Sequence, residues 1–353
     1  LQTITLSLRL HRPTKAKIKR YQELVERTTA FANNLVAAGR PKGLTSRTAR
    51  VYLTGDLPSV VINQALRDVA THRDVRTFRV LWPSFNNQNL RLKKVGDFWT
   101  ASFPTQAGRV RVPLAVTSRQ AAILERLGRD VKQGAAKLYK KRGRWYIALS
   151  VTLPVEEKKI LSADKVAGID MGLRYLAVVY AGGETLFFPG DQAAYVRRRY
   201  HALRRRMGKA KALKAIRQMK DKEARWMKDQ DHKISRAIVD WCLARGVGTI
   251  RMEKLEDIRR RKTRKRDLGR SLHSWSFYRL QQFIAYKARL SGIRVEWVNP
   301  KDTSRTCPRC GHCASENRSG IQFRCRNCGF EAHADVVGAW NISFAISGLA
   351  EAE

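Results

Sequence analysis

Two Cys-x-x-Cys knuckles constrain this chain more than any other feature. Cys307-Pro308-Arg309-Cys310 and Cys325-Arg326-Asn327-Cys328 enclose fourteen residues. Each knuckle brings two thiolates within reach of one ion, and the second completes a tetrahedral Cys₄ set of the kind that holds Zn²⁺ with no coordination position left for chemistry. Gly311 and Gly329 follow the knuckles, where the backbone must turn tightly. Five of the six cysteines lie between Cys307 and Cys328, which points to metal in a reducing compartment rather than to disulfides. His312 and Cys313 are spare donors, and Cys313 could replace Cys310 in a distorted site. Cys242 falls on a helical pattern and reads as a core residue.

Charge sets the second constraint. Seventy Lys and Arg oppose 30 Asp and Glu, a formal net charge of +40 spread along the whole length. Such self-repulsion calls for a polyanionic partner, and nucleic acid is the simplest one. An acidic membrane surface is the competitor. The chain has no apolar run of about 18 residues and no signal-peptide pattern, so the expectation is a cytoplasmic protein without a membrane partner.

Residues 1–10 alternate as a strand, with Ile4, Leu6, Leu8 and Leu10 on one face. A helix opens at Pro13-Thr14 and ends at Gly39. A second is capped by Ser59 and runs from Val60 to about Thr77. Strands follow near 90–94, 98–103, 109–114, 136–140 and 144–153. The first strand rejoining later ones suggests a small β-barrel interrupted by a helical insert. Residues 156–165 read as a linker. The apolar pair Ala167–Asp170 and Leu176–Tyr180, turned at Gly172, is joined by Glu184–Phe188 in a meander. Residues 191–245 are helical and intensely basic, and Gly246 and Gly248 end them before a strand at Thr249–Glu253. Seven of the eight residues 259–266 are Lys or Arg, a phosphate-binding loop by composition. A helix over 275–291 and a strand over 293–298 precede the knuckles.

Three acids carry the chemistry. Asp170 sits among apolar residues, where an uncompensated carboxylate costs several kcal/mol; the bland reading is a cap on the turn before Gly172. Glu253 ends a strand and could be an ordinary surface residue. Asp335 opens an apolar helix and could be its N-cap. Together, an acid on a first strand, one at the end of a later strand and one on a late helix form the layout by which RNase H-like folds gather carboxylates around two divalent ions. Oxygen ligands suit Mg²⁺ or Mn²⁺.

Gly168-Ile169-Asp170-Met171-Gly172, Met252-Glu253-Lys254-Leu255, the Cys₄ ribbon and His333-Ala334-Asp335 with Ala339-Trp340-Asn341-Ile342 occur in this order. As a set they resemble the split RuvC nuclease of the TnpB family, transposon-encoded RNA-guided endonucleases related to type V CRISPR effectors. Thr303-Ser304 and the Trp145-Tyr146 strand resemble it too. The motifs cover 166–345, and the N-terminal half matches only in layout. The resemblance implies an α/β, RNase H-like RuvC domain (161–302 and 331–353) with a zinc ribbon inserted at 303–330. A wedge-like β-barrel (1–10 and 88–160), interrupted by a helical recognition insert (11–87), would precede it. It implies Asp170, Glu253 and Asp335 as the Mg²⁺- or Mn²⁺-binding catalytic acids of a two-metal endodeoxyribonuclease, and Cys307, Cys310, Cys325 and Cys328 as ligands of structural Zn²⁺. Guide RNA and target double-stranded DNA are the implied partners, with a monomer the favoured state. The family often has Asn or Asp where His333 stands and Asn where Val337 stands. Neither departure removes an acid, so activity is still implied, with altered local packing.

Three rival readings differ in class. A nuclease-silent RNA-guided repressor would be expected to have lost an acid. A non-guided transposition accessory protein needs only the ribbon and the charge. Gly-x-Asp-x-Gly also opens actin-like and sugar-kinase ATPases, but these require a second glycine-rich phosphate hairpin, and the sequence has none.

Overall fold

The computed structural model describes residues 1–154, 162–219, 221–254, 277–299 and 302–345. The basic stretch 259–266 and most of the expected linker lie outside them. The chain divides into two units, Leu1–Pro154 and Val155–Glu353. Among the described residues no helix is long and apolar enough to cross a membrane.

The first unit is a seven-stranded antiparallel sheet with helices inserted after its first strand. Strand β1 (Gln2–Leu10) buries Leu6, Leu8 and Leu10. Thr14 caps α1 (Lys15–Ala37) by accepting from the Lys17 N–H, and Gly39, at φ +74°, closes the helix end. Helix α2 (Ser59–Thr71) differs from expectation at both ends. Pro58, not Ser59, is the capping residue, its carbonyl accepting from Val61 and Ile62. The helix stops at Thr71 because 72–77 supplies no buried residue to continue the stripe of Val61, Ile62, Ala65 and Val69.

Strands β2 (Ser84–Phe85), β3 (Arg91–Val95), β4 (Phe98–Thr105), β5 (Gly108–Ala115), β6 (Lys132–Lys141) and β7 (Arg144–Leu153) complete the sheet in the order β2-β6-β7-β1-β5-β4-β3. The expected barrel is, in its backbone pairing, a sheet open between β2 and β3 among the described residues. β2 has only two residues and β3 is exposed almost throughout, so neither offers a ladder to close. Between β5 and β6, where the sequence reading placed no element, lies α3 (Ser118–Glu125), which starts with a reciprocal capping box of Thr117 and Gln120. Tyr21 of α1 packs edge-on to Trp145 with ring centroids 5.3 Å apart, seating the helix on the sheet.

The second unit is α/β. β8 (Ser162–Asp170), β9 (Tyr175–Ala181) and β10 (Glu184–Pro189) form the antiparallel meander. The basic segment breaks into α4 (Asp191–Lys209), α5 (Leu213–Met219) and α6 (Lys222–Ala244). Gly246 alone, at φ +69°, turns the chain into β11 (Val247–Glu253), and Gly248 lies inside that strand. Helix α7 (Phe277–Leu290) leads to β12 (Arg294–Val298), and the sheet order is β10-β9-β8-β11-β12 with β8, β11 and β12 parallel. Beyond the knuckles, β13 (Arg318–Ser319), β14 (Gln322–Arg324) and β15 (Glu331–His333) make a small sheet, and α8 (Ala334–Phe344) follows.

Both faces of the five-stranded sheet are covered, which is why 176–180 reads as an unbroken apolar run. Ala167, Ile169, Ala177, Val179, Ile250 and Met252 pack in one core with residues of α6 and α7; Cys242 is fully buried there. Val178 and Tyr180 face the other way, against Ala339 and Trp340 of α8. The Tyr180 and Trp340 rings stack at 5.0 Å.

Helix α8 reaches β8 only because residue 168 is glycine. A Cβ there would stand 2.0 Å from the Ala339 carbonyl oxygen and 2.5 Å from the Ser343 nitrogen. Both obstacles are backbone, so no rotamer change can relieve them. Gly168→Ala is expected to destabilise the second unit by roughly 3 kcal/mol. Equilibrium urea unfolding should record the loss, and an unchanged midpoint would contradict this packing.

Candidate active site

Strand periodicity places the acids. Ala167 and Ile169 point into the α6–α7 core, so Gly168 and Asp170 lie on the α8 face. β11 pairs parallel to β8 with Gly168 opposite Arg251 and Ile169 opposite Met252. Ile250 and Met252 therefore join the same core, while Arg251 and Glu253 share the face that holds Asp170. Arg251 is spent structurally: it pairs with Glu296 at 2.8 Å and donates to the Ser343 carbonyl at 2.8 Å.

Helix α8 brings the third acid. A Cβ at Gly338 would come within 3.0 Å of Asp170 Oδ2, so a second glycine makes room for that carboxylate. Asp335 lies one turn earlier on the same helix, hence on the same side. The N-cap is His333, not Asp335: its Nδ1 accepts from the Asp335 backbone N–H at 3.2 Å. Capping by residue 333 leaves the Asp335 carboxylate for other work, and Asn or Asp could fill that slot in the same way. The Asp335 carboxylate accepts from Arg318 of β13 at 2.9 Å.

Glu253 is not an ordinary exposed residue, and Asp170 keeps a part in its turn: its carboxyl accepts from the Met171 N–H, while Gly172 N–H to the Tyr175 carbonyl at 3.0 Å closes the turn by backbone. Burial first, then the charges of Glu253 and Asp335, push the Asp170 carboxyl up to about 7, against a smaller opposing pull from Arg318. Glu253 is held by Thr303, whose hydroxyl donates to Oε1 at 2.6 Å, and burial raises its pKa as well. Thr303 is itself placed by α8, since the Asn341 amide donates to the Thr303 and Thr306 carbonyls at 2.7 and 2.8 Å. Three carboxylates thus share one face, two of them strained by burial. Hard oxygen donors suit divalent cations, although among the described residues only the knuckle cysteines bring three or more ligand atoms within 4.8 Å of one another. Arg318 and Gly338 are the residues that sequence reasoning missed. Arg318 is one of 70 basic side chains and carries no local signal; a glycine inside an apolar helix does signal close approach.

The four knuckle cysteines converge as expected. Their Sγ atoms all lie within 4.8 Å of one another, a set able to hold one metal ion. Cys307 and Cys328 approach to 3.6 Å and Cys310 and Cys325 to 3.5 Å, far beyond a disulfide bond. Gly311 and Gly329 adopt φ of +73° and +72°, as the knuckle turns require. Cys313 is exposed and stands outside the set. His312 contributes its carbonyl, which accepts from Cys307 N–H at 2.9 Å. Phe323, Ala334 and Val337 are buried with Cys307 and Cys325, so Val337 serves the apolar contact between this small sheet and α8.

The fold is similar to that of a solved Cas12f1 protein. A solved Cas12f1–sgRNA–target DNA complex superposes with a TM-score of 0.64 at 16% identity, covering 93% of this chain and 82% of that one. A family model described as a probable transposase, OrfB_IS605, matches residues 149–259, and the Cas12f1-like TNB domain matches 277–342. The chain is 35% identical over 221 residues to the CRISPR-associated endodeoxyribonuclease Cas12f1 of Sulfoacidibacillus thermotolerans, covering 58% of this chain and 50% of that protein. It is 38% identical over 122 residues to a TnpB-like protein of Methanocaldococcus jannaschii, covering 34% of this chain and 43% of that one. A TnpB-like protein of Aquifex aeolicus matches at 27% over 247 residues, 63% of this chain and 81% of that one. The chain is a relative of the TnpB and Cas12f1 proteins, and the first two matches span about half the length of those relatives.

The Asp170 shift has a consequence for stability. A carboxyl near 7 in the fold and 3.8 outside it binds its proton more tightly when folded. Its contribution is therefore full below about pH 4 and lost as pH rises through 7, a span worth roughly 4 kcal/mol. Without divalent ions, the stability of the wild type should fall relative to Asp170→Asn across this window, as read by urea unfolding at successive pH values. Mn²⁺ should restore the wild type at neutral pH and leave the variant little changed. Parallel pH profiles would contradict the clustered-acid geometry.

Proposed function

We propose that this chain is an RNA-guided, divalent-metal-dependent DNA endonuclease, cutting through the single site formed by Asp170, Glu253 and Asp335. The observation that carries this reading is the buried Asp170 carboxylate, sharing one face with two further acids under α8. The relatives named as endodeoxyribonucleases support the DNA substrate. The excess of basic over acidic residues supports a nucleic-acid partner of many phosphates. In this reading a guide RNA pairs with the target and supplies sequence specificity, while the protein recognises backbone, heteroduplex shape and a short motif beside the target. The domain layout set out from the sequence belongs to the same proposal: a wedge with a helical recognition insert, then a RuvC-like nuclease carrying a ribbon.

Two Mg²⁺ or Mn²⁺ ions held by the three acids would polarise the attacking water and the leaving oxygen of an in-line phosphodiester displacement. The chain's own residues set the stage for this. Thr303 fixes the Glu253 carboxylate in one orientation through its 2.6 Å hydrogen bond. His333 takes over helix capping, which leaves the Asp335 carboxylate free of that duty. Arg318 holds a guanidinium against Asp335, and in this reading that positive charge would lie beside the scissile phosphate. The four thiolates would bind Zn²⁺ structurally, anchoring the small sheet that carries Arg318.

Two measurements test this. Protein expressed with its flanking DNA should carry one defined RNA and cut a matched plasmid library in Mg²⁺. Cutting should fall to background in EDTA or in Asp170→Ala. Target binding without cutting would favour a repressor, and the absence of any defined RNA would overturn the guided reading. Separately, elemental analysis should find about one zinc per chain. The Cys310→Ser/Cys325→Ser variant should lose that zinc and melt earlier, and a wild type free of zinc would refute the assignment.

A further inference from the structure

The contact between α6 and α7 holds buried polar groups that the acid site does not explain. Asp231 of α6 is fully buried and accepts from the Arg279 guanidinium of α7 at 2.5 Å. Lys287 of α7, only 6% exposed, donates to the His232 carbonyl at 2.6 Å and to the Ser235 hydroxyl at 2.7 Å. Buried charges of this kind add little net stability, because desolvation offsets their attraction. Their bonds are directional, however, and they tie the helices at two heights. They therefore fix how far along α6 the helix α7 sits.

Gln281 lies between these two ties. It is 2% exposed, and its side-chain amide donates to the Glu253 backbone carbonyl at 2.8 Å. Leu280, Ile284 and Ala285 pack in one core with Ile250 and Met252, so α7 approaches β11 from the face opposite to the acids. Gln281 thus meets Glu253 at its backbone and not at its carboxylate. That carbonyl needs a donor which the sheet has withdrawn. The peptide after Glu253 sends its N–H, that of Lys254, to the Val298 carbonyl of β12 at 2.9 Å. A trans peptide points its C=O the other way, here toward β8. The ladder between β8 and β11 ends with Ile169 opposite Met252. The next donor along it would be the Met171 N–H, which goes instead to the Asp170 carboxyl. Gln281 fills that place. The peptide is held from both sides, while Thr303 holds the carboxylate of the same residue.

We propose that Gln281 is a positioning residue of the acid site: it takes over the Glu253 carbonyl that β8 has released, and so fixes the direction in which the end of β11 presents the Glu253 carboxylate to a divalent cation. This role rests on the cation reading of Asp170, Glu253 and Asp335 proposed above; the pinning of the strand end does not. A glutamine serving packing alone would lose stability on substitution and change nothing at Glu253.

The test compares the full chain with Gln281→Met, which keeps the length of the side chain and removes its donor. Val239→Ala, a truncation in the same core, reports the effect of lost stability alone. In buffer without divalent ions, the Lys254 amide should exchange its hydrogen roughly tenfold faster in Gln281→Met and at the wild-type rate in Val239→Ala. Calorimetric titration should show Mn²⁺ binding about tenfold weaker in Gln281→Met, unchanged in Val239→Ala and weakest in Glu253→Gln. Unaltered exchange in Gln281→Met would overturn the pinning. Faster exchange with Mn²⁺ affinity intact would overturn the positioning role, and equal effects in Val239→Ala would reduce Gln281 to packing. Wild-type Mn²⁺ affinity in Glu253→Gln would refute the cation reading itself, and the positioning role with it, whatever the exchange rates show.

Discussion

Everything in the second unit depends on how closely α8 lies on β8. The contact is backbone against backbone at Gly168, and Gly338 removes the one side chain that would hold helix and carboxylate apart. That proximity buries Asp170, and burial is the first cause of its raised pKa. A looser helix would leave Asp170 solvated, with an ordinary pKa and little demand for a cation. The two glycines therefore carry the electrostatics of the proposed site although neither bears a functional group. They also explain the covering of both sheet faces, since Tyr180 and Trp340 can stack at 5.0 Å only when the helix sits this low.

The same helix couples the thiolate cluster to the acids. Ala334 and Val337 enter the apolar cluster around Cys307, Cys325 and Phe323, while Gly338, one residue further on, faces Asp170. Asn341 holds the Thr303 and Thr306 carbonyls just before the first knuckle, and Thr303 in turn fixes Glu253. Arg318 closes the circuit from the ribbon's own sheet to Asp335. A metal that orders the ribbon would thus act on two of the three acids without touching either. In the proposed reading the small sheet braces the acid site, and four thiolates around one ion would leave no open position for chemistry of their own.

The legible parts of the fold were those governed by periodicity and by spacing. Period-2 alternation marked β1 and β7, and the knuckle spacing identified all four thiolates. The acids were legible only as a set, because each alone fits a bland role; the resemblance to TnpB motifs tied them together. Element ends were less legible. Ser59 looks like a cap, but Pro58 already supplies the carbonyl, and polarity without an inward face ends α2 at Thr71. The helix α3 was announced by Thr117 and Gln120, a capping box easily overlooked in a polar connection. Arg318 was not legible at all. Its role depends on how a three-stranded ribbon sheet folds back onto α8, and no local pattern encodes that return.

A net charge of +40 bears differently on exposed helices and on the proposed acid site. On exposed helices such as α4, the arginines can remain solvated, screened within about 10 Å at ordinary salt. Phosphate contacts there are interchangeable, and losing one weakens binding only slightly. Arg318 is of another kind: it is 32% exposed and already engaged with the half-buried Asp335 carboxylate. Where a cation is combined with a directional partner, geometry selects its ligand, and charge alone does not. Specific sites in so basic a protein are therefore found by looking for what accompanies the charge, an acid in the case of Arg318.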